Sequence, residues 1–398
     1  MATMPTAGII DSDGHVLEPA TLWEDYLEAS MRDRAIRVKK NDAGLEYLEI
    51  DGAPFTRLSA GSLALLGAMG DESARPGPDR LYMETMPFGA GDPTQRVQWL
   101  DQQGIERVVL YPTIGIIWDS TVSDPQLSDA YARAYNRWIA DFCRDSNGRL
   151  TAIAQISLSD VDLAAVELER AVADGCKGAM VFPYTWTRVP HGHSHYDALW
   201  QVAADLEVPV GIHPSYEPEF CNTLYRFRDH SSTPGIGGPE GGFMTNVSVR
   251  HGVMTAFSSF FAYSTFERFP RLCIGVLESG AGWIGSFLDR MDVLAGETLY
   301  RHSTRMTRPP SEYFRTNCFI SCDPDETAAP LIIDHVGADR FVWATDFPHP
   351  DHPADWRGPL EKFLGPLSQD TAARVLGRNV AELYKLPAQA PLPAQGPR

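Results

Sequence analysis

The sequence predicts an α/β protein of the (β/α)₈ class, a TIM barrel with a small insertion after the first strand and a long lid loop after the fifth. Three observations predict it. Eight short apolar runs alternate with amphipathic stretches, several of those runs end in Asp, Glu or His, and no GxGxxG follows the first run. Near-continuous apolar strands are what a parallel sheet covered on both faces requires. The regular alternation favours a closed barrel over an open sheet. The missing glycine fingerprint removes the main signal for a dinucleotide-binding sheet.

The strand-like runs fall at 7–15, 106–112, 150–157, 177–184, 208–214, 271–278, 317–322 and 340–345. Helical patterns occupy 124–144, 161–175, 196–206, 254–269, 281–295 and 326–336. In the second of these, Asp160 supplies an N-terminal cap and Gly175 a stop.

Three stretches break the repeat. Residues 38–58 alternate and turn like a β-hairpin, and 59–93, rich in Gly, Pro and Met, is expected to cover one mouth of the barrel. Residues 215–250 read as a loop long enough to act as a lid. On this reading 1–386 form one domain, and the Pro/Ala-rich 387–398 form a flexible tail.

With 398 residues, 43% of them hydrophobic, the chain has ample material for a large core. The formal charge of −18 argues against nucleic acid or an anionic membrane as partner. The six cysteines form no CxxC pair, which speaks against a thiolate zinc site and for a reducing compartment. No basic-then-apolar leader opens the chain and no apolar run is long enough for a bilayer, so a cytoplasmic protein is expected.

Barrel enzymes carry their reactive groups at the C-terminal ends of the strands. Asp13 and His15 end the first run; two apart in extended chain, they share one face. His213 ends the fifth run, Glu278 the sixth and Asp346 the eighth. A single histidine at a strand end is ordinarily structural, and a single Asp there is often a helix cap. Such residues at four strand ends of one barrel form instead a nitrogen and oxygen ligand set suited to Zn²⁺, Mn²⁺ or Fe²⁺.

Four stretches resemble the amidohydrolase superfamily, in particular the amidohydrolase-2 branch that includes aminocarboxymuconate-semialdehyde and aromatic-acid decarboxylases. They are IIDSDGHVLEP at 9–19, VGIHPSYE at 210–217, FERFPRLCIGVLESGAGW at 266–283 and FVWATDFPHPD at 341–351. The resemblance implies a metal held by Asp13, His15, His213 and Asp346, and commonly a homodimer, with the insertion as a contact. There are two departures. Asp13-x-His15 stands where much of the superfamily has His-x-His, and Glu278 stands where decarboxylase-type relatives carry a histidine.

An ionised Glu278 is a base or a ligand rather than an acid, unless burial raises its pKa. The expectation is therefore a hydrolase, in which metal-activated water attacks a carbonyl of a small organic substrate and Asp346 or Glu278 takes the proton. One alternative is non-oxidative decarboxylation of an aromatic or unsaturated acid. The other is a dinuclear Fe or Fe/Mn oxygenase that draws extra ligands from Glu278, His251 and Glu18. The cofactor is accordingly Zn, Mn or Fe, one or two ions per chain.

Of the remaining polar residues, Glu18 is expected to touch a ligand or start a helix, and His349 to position Asp346 or line the pocket. His352 and the HGHSH stretch at 191–195 read as exposed, and Arg290 as a helix-surface ion pair. Trp283, Phe347 and Tyr216 are pocket walls or packing.

Overall fold

A computed structural model of the chain describes residue 4 and residues 8–222, 238–297 and 304–387. The tail at 388–398 and the middle of the expected lid, 223–237, lie outside the described residues.

Eleven strands follow in chain order. β1 is Ile10–His15, and β2 (Arg37–Lys40), β3 (Glu46–Ile50) and β4 (Ala53–Pro54) make up the insertion. The others are β5 (Arg107–Tyr111), β6 (Leu150–Gln155), β7 (Gly178–Val181), β8 (Val210–Ile212), β9 (Ile274–Val276), β10 (Cys318–Cys322) and β11 (Phe341–Trp343). β1 and β5 to β11 pair in parallel, in chain order, as one eight-stranded sheet. Beyond β11 the chain returns to β1: Ser12 Oγ donates to Trp343 O at 2.7 Å, Asp346 N to Asp13 O at 3.1 Å and His15 N to Phe347 O at 2.8 Å. These bonds draw the sheet into the (β/α)₈ barrel that the sequence predicts.

The strands form because their side chains are buried on both faces. Ile10, Val109, Tyr111, Ile153, Met180, Phe319 and Val342 pack together as one apolar cluster, joined by Val380 and Tyr384 from the C-terminal helices. Tyr111 and Tyr384 share a hydrogen bond of 2.9 Å. On β9 a side chain at Gly275 would put its Cβ 2.0 Å from the Phe319 ring, so only glycine leaves that ring its place.

Around the barrel, caps set the helix starts. Asp160 accepts from Asp162 N and Leu163 N ahead of the Val161–Asp174 helix, and Gly175 at φ +126° ends it, as its sequence predicts. Asp92 and Asp124 cap the Pro93–Gln103 and Pro125–Arg144 helices, each with proline in the first turn.

The expected hairpin is a three-stranded antiparallel sheet in the order β2-β3-β4. The segment after it crosses the C-terminal mouth. Leu17 N bonds Ala90 O at 2.9 Å, Met69 N bonds Pro348 O at 3.2 Å, and Tyr82 Oη donates to Glu18 O at 3.0 Å.

One expectation is corrected here. The final part of the expected 215–250 loop is helical, because the helix before β9 runs Gly238–Ala262 instead of starting at 254. Its buried face (Val253, Ala256, Phe257, Phe260, Phe261) has helical spacing, whereas Phe243, Met244 and Val247 nearer its start are exposed, which hid the start from the pattern. Among the described residues no helix is long and apolar enough to cross a membrane. The six cysteines are free thiols.

Candidate metal centre

The C-terminal ends of β1, β8, β9 and β11 bring five side chains together. A register irregularity between Asp11 and Gly14 interrupts the pairing of β1 with β5, which resumes at Gly14 and His15. Before it, buried Asp11 accepts from Thr345 Oγ1 (2.5 Å) and Thr345 N (3.0 Å), tying β1 to the chain after β11. Asp13, within it, and His15, past it, are buried at the barrel mouth. The end of β1 is further held by the buried Arg96, which donates to His15 O at 2.6 Å and lies 4.8 Å from the Phe347 ring centre.

Backbone carbonyls fix the tautomer of both histidines. His15 Nδ1 is 2.8 Å from Pro112 O, and His213 Nδ1 is 2.7 Å from Pro214 O. A carbonyl only accepts, so both rings carry their proton on Nδ1 and present an Nε2 lone pair. Those two Nε2 atoms lie 3.3 Å apart. Burial holds both imidazoles neutral, lowering His15 to about 4 and His213 to about 3.

Carboxylates close around them. Asp13 Oδ1 is 3.5 Å from His15 Nε2 and 3.8 Å from His213 Nε2. Asp346 Oδ1 is 3.2 Å from His15 Nε2, and Glu278 Oε2 is 3.2 Å from His213 Nε2. Both Asp13 oxygens, Glu278 Oε2 and Asp346 Oδ2 are buried without a hydrogen-bond partner. Burial, reinforced by the neighbouring carboxylates, raises the pKa of Asp13 and Glu278 well above the usual range. Facing lone pairs and unpartnered buried carboxylate oxygens are costly alone. A divalent cation satisfies them together, and the donor set of two imidazoles and three carboxylates fits Zn²⁺, Mn²⁺ or Fe²⁺.

Glu278 and Asp346 reach this point from strained backbone, at φ +39° and +57°. Left-handed conformation at a non-glycine residue costs about 1–3 kcal/mol and tends to mark functional sites. The turn after Glu278 is gripped by Glu326, whose carboxylate accepts from Ala281 N at 2.8 Å and Gly282 N at 2.9 Å.

The other candidate residues separate clearly. His349 stacks on His15 with ring centres 4.0 Å apart, while its Nδ1 meets Asp346 Oδ1 at 3.0 Å and its Nε2 meets Thr113 Oγ1 at 2.9 Å. Burial alone would raise the Asp346 carboxyl, but His349 and His352 together hold it well below its usual range. Glu18 lies apart from the cluster. It is fully buried and accepts from the backbone N–H groups of Thr113, Ile114 and Gly115 at 2.8–3.1 Å.

His251 is exposed on the 238–262 helix, whose buried face is taken by Val253, Ala256, Phe257 and Phe260, and it joins none of the donor clusters among the described residues. His352, expected to be exposed, is only 13% exposed, and its Nδ1 lies 2.7 Å from Asp346 Oδ2. His191 is buried against Phe182 O at 2.7 Å, whereas His195 and Arg290 are exposed. Phe347 stacks on Trp99 at 4.1 Å, Trp283 donates to Ser279 O, and Tyr216 packs edge-on against Phe55. Asp11, Arg96 and Thr113 are the contributors that sequence reasoning missed; their types carry no signal until β1 and β11 are adjacent.

Comparison with known proteins places this architecture. Residues 116–386 match the amidohydrolase family model. The chain is 28% identical to the decarboxylase OrsB of Emericella nidulans over 274 residues, 62% of this chain and 77% of that one. It is also 28% identical to a gamma-resorcylate decarboxylase of Polaromonas over 282 residues, 66% of this chain and 79% of that one.

Among solved structures, an amidohydrolase of Mycobacterium avium subsp. paratuberculosis superposes with a TM-score of 0.78 at 19% identity, covering 96% of this chain and 98% of that one. A 5-carboxyvanillate decarboxylase of Novosphingobium aromaticivorans, solved with bound manganese, superposes with a TM-score of 0.65 at 16% identity, covering 97% and 100%. These two likenesses concern the fold.

The preference for hydrolysis over decarboxylation is overturned, because the curated relatives matched over these lengths are decarboxylases. In the metal-free cluster burial also raises the Glu278 pKa, so Glu278 is not the ordinary ionised carboxylate on which that preference rested. The chain belongs to the amidohydrolase family, in its amidohydrolase-2 branch, as a metal-dependent enzyme whose divalent-cation cluster lies at the mouth of a (β/α)₈ barrel.

Proposed function

We propose that the chain is a non-oxidative decarboxylase of a hydroxylated aromatic carboxylic acid, with Asp13, His15, His213, Asp346 and Glu278 holding the metal. The reaction breaks the bond between ring and carboxylate, releases CO₂, and leaves the bonding electrons on the ring carbon, which takes up one proton. The carrying observation is the Asp346–His349 pair: a carboxylate at the metal cluster with an imidazole 3.0 Å from the same oxygen. Relatives named for gamma-resorcylate support the substrate class.

A bound divalent ion supplies the charge that anchors an acidic substituent and steadies electrons left on the ring. The protein's own groups do the rest. Asp346, ionised at rest, relays to the ring carbon the proton that His349 carries on Nδ1. The Thr113 hydroxyl, at the far ring nitrogen, keeps the imidazole aligned. Tyr216 and Phe55, packed edge-on, offer an aromatic wall at the mouth.

Turnover of 2,6-dihydroxybenzoate or 5-carboxyvanillate in D₂O by the manganese-loaded protein tests this reading. It requires one deuterium at the carbon that lost CO₂. Intact acid across a panel of hydroxybenzoates would remove the proposal.

A further inference from the structure

One carboxyl at the mouth takes no part in the metal cluster. Glu217 follows His213 by four residues in the segment after β8, beside Tyr216, whose ring packs edge-on against Phe55 at 5.8 Å between centres. Glu217 is 7% exposed, and among the described residues nothing donates a hydrogen bond to its carboxylate or forms an ion pair with it. Burial raises its pKa to about 7, and only the charge of Arg57 opposes the rise. Arg57 itself is held over the Tyr216 ring, 5.5 Å from its centre.

The neighbouring chain makes room for this carboxyl. A Cβ on Gly252, in the Gly238–Ala262 helix, would come 2.1 Å from Glu217 Oε1, so glycine there leaves the carboxyl its place. The same point lies 3.6 Å from Pro183 Cβ, in the segment after β7. Glu217 is thus seated between that segment, its own and the helix, next to the aromatic wall of the mouth. A carboxylate buried without a donor is costly, and the described chain supplies none. The missing donor comes from a ligand.

We propose, resting on the decarboxylase reading for the scaffold, that Glu217 forms the distal end of the substrate pocket. There it accepts a hydrogen bond from a hydroxyl or amino substituent of the aromatic acid, remote from the carboxyl that leaves. A charged acceptor separates a substituent that can donate from one that cannot, because a methyl-capped oxygen leaves the carboxylate unpaired. Glu217 therefore selects which acid binds and leaves the number of bound ions unchanged.

Binding of unreactive analogues tests this apart from turnover. In 2-nitrophenols a nitro group stands for the carboxylate and no CO₂ can leave. The whole manganese-loaded chain is titrated calorimetrically with 4-hydroxy- and 5-hydroxy-2-nitrophenol and with their methoxy counterparts. At least one hydroxyl compound should bind about 10- to 100-fold tighter than its methoxy partner, the worth of a hydrogen bond to a charged group. Glu217→Met should abolish that preference and Gly252→Ala, which displaces the carboxyl, should shrink it, both with manganese per chain unchanged. Equal affinity within each pair, no binding of any of the four, or the preference retained in Glu217→Met would overturn the proposal. Should Glu217→Met not fold, Glu217→Gln keeps the shape and decides: part of the preference should go, and full retention would overturn it. A preference for the hydroxyl compound with no turnover of any hydroxybenzoate would sink the decarboxylase reading and leave the Glu217 subsite standing.

Discussion

His15 and His213 face each other through unprotonated Nε2 atoms 3.3 Å apart, because each ring gives its Nδ1 proton to a proline carbonyl on its own side. The backbone thus sets the ligand tautomer before any ion arrives.

Removing one of these nitrogens is expected to empty the site. His213→Phe should weaken metal binding by at least about 100-fold, since losing even an outer partner of a metal ligand costs 10–100-fold. Titration of chelator-treated protein with Mn²⁺ measures it. Chelation of the wild-type protein should also lower its Tm, by roughly 3 kcal/mol of lost linkage where the ion had been present at 100 times its Kd.

His349 is expected to govern turnover rather than metal content. His349→Asn should lower kcat by about 10²–10⁴-fold, the usual worth of a positioned acid or base, with manganese per chain unchanged. Thr113→Val removes one hydrogen bond to that ring and should cost about 10-fold or less in kcat, with KM held. Equal losses in both variants would mean that the Thr113 contact, not the imidazole proton, is what matters.

Glu18 should leave a mark on stability against pH. Burial raises its pKa from 4.5 to about 7 despite the three backbone N–H groups it accepts from. A carboxyl with a raised folded-state pKa contributes stability that is fully present below about pH 4.5 and is lost as pH rises through 7. The advantage of the wild-type protein over Glu18→Gln in urea unfolding should therefore shrink across that window. A constant difference from pH 4 to 8 would contradict it.

In the barrel interior, Gly275→Ala is expected to destabilise by about 1–3 kcal/mol, because its Cβ would press into the Phe319 ring 2.0 Å away. Urea unfolding measures it, and Phe319→Leu in the same chain should recover part of the loss.

Much of this arrangement is legible in the sequence, for physical reasons that also mark where legibility ends. Strands buried on both faces are near-continuously apolar, so the eight runs stand out, and their ends point to Asp13, His15, His213, Glu278 and Asp346. His352 was unreadable because its burial comes from outside its own loop: the segment from 59 to 93 folds over the chain after β11, through Met69 N to Pro348 O and Gly70 against Ala354. His251 misled because the Gly238–Ala262 helix begins with exposed apolar residues, so the pattern placed its start too late. Glu278 misled most, since its local sequence says carboxylate and only burial makes that carboxylate hard to ionise.

The most direct test of the central claim is release of ¹³CO₂ from carboxyl-labelled 2,6-dihydroxybenzoate, followed with and without chelator. The account requires release by the manganese-loaded protein, abolished by chelation and restored by adding the ion back. Equal release from metal-depleted protein, or none from any hydroxybenzoate while the cluster is fully loaded, would contradict it.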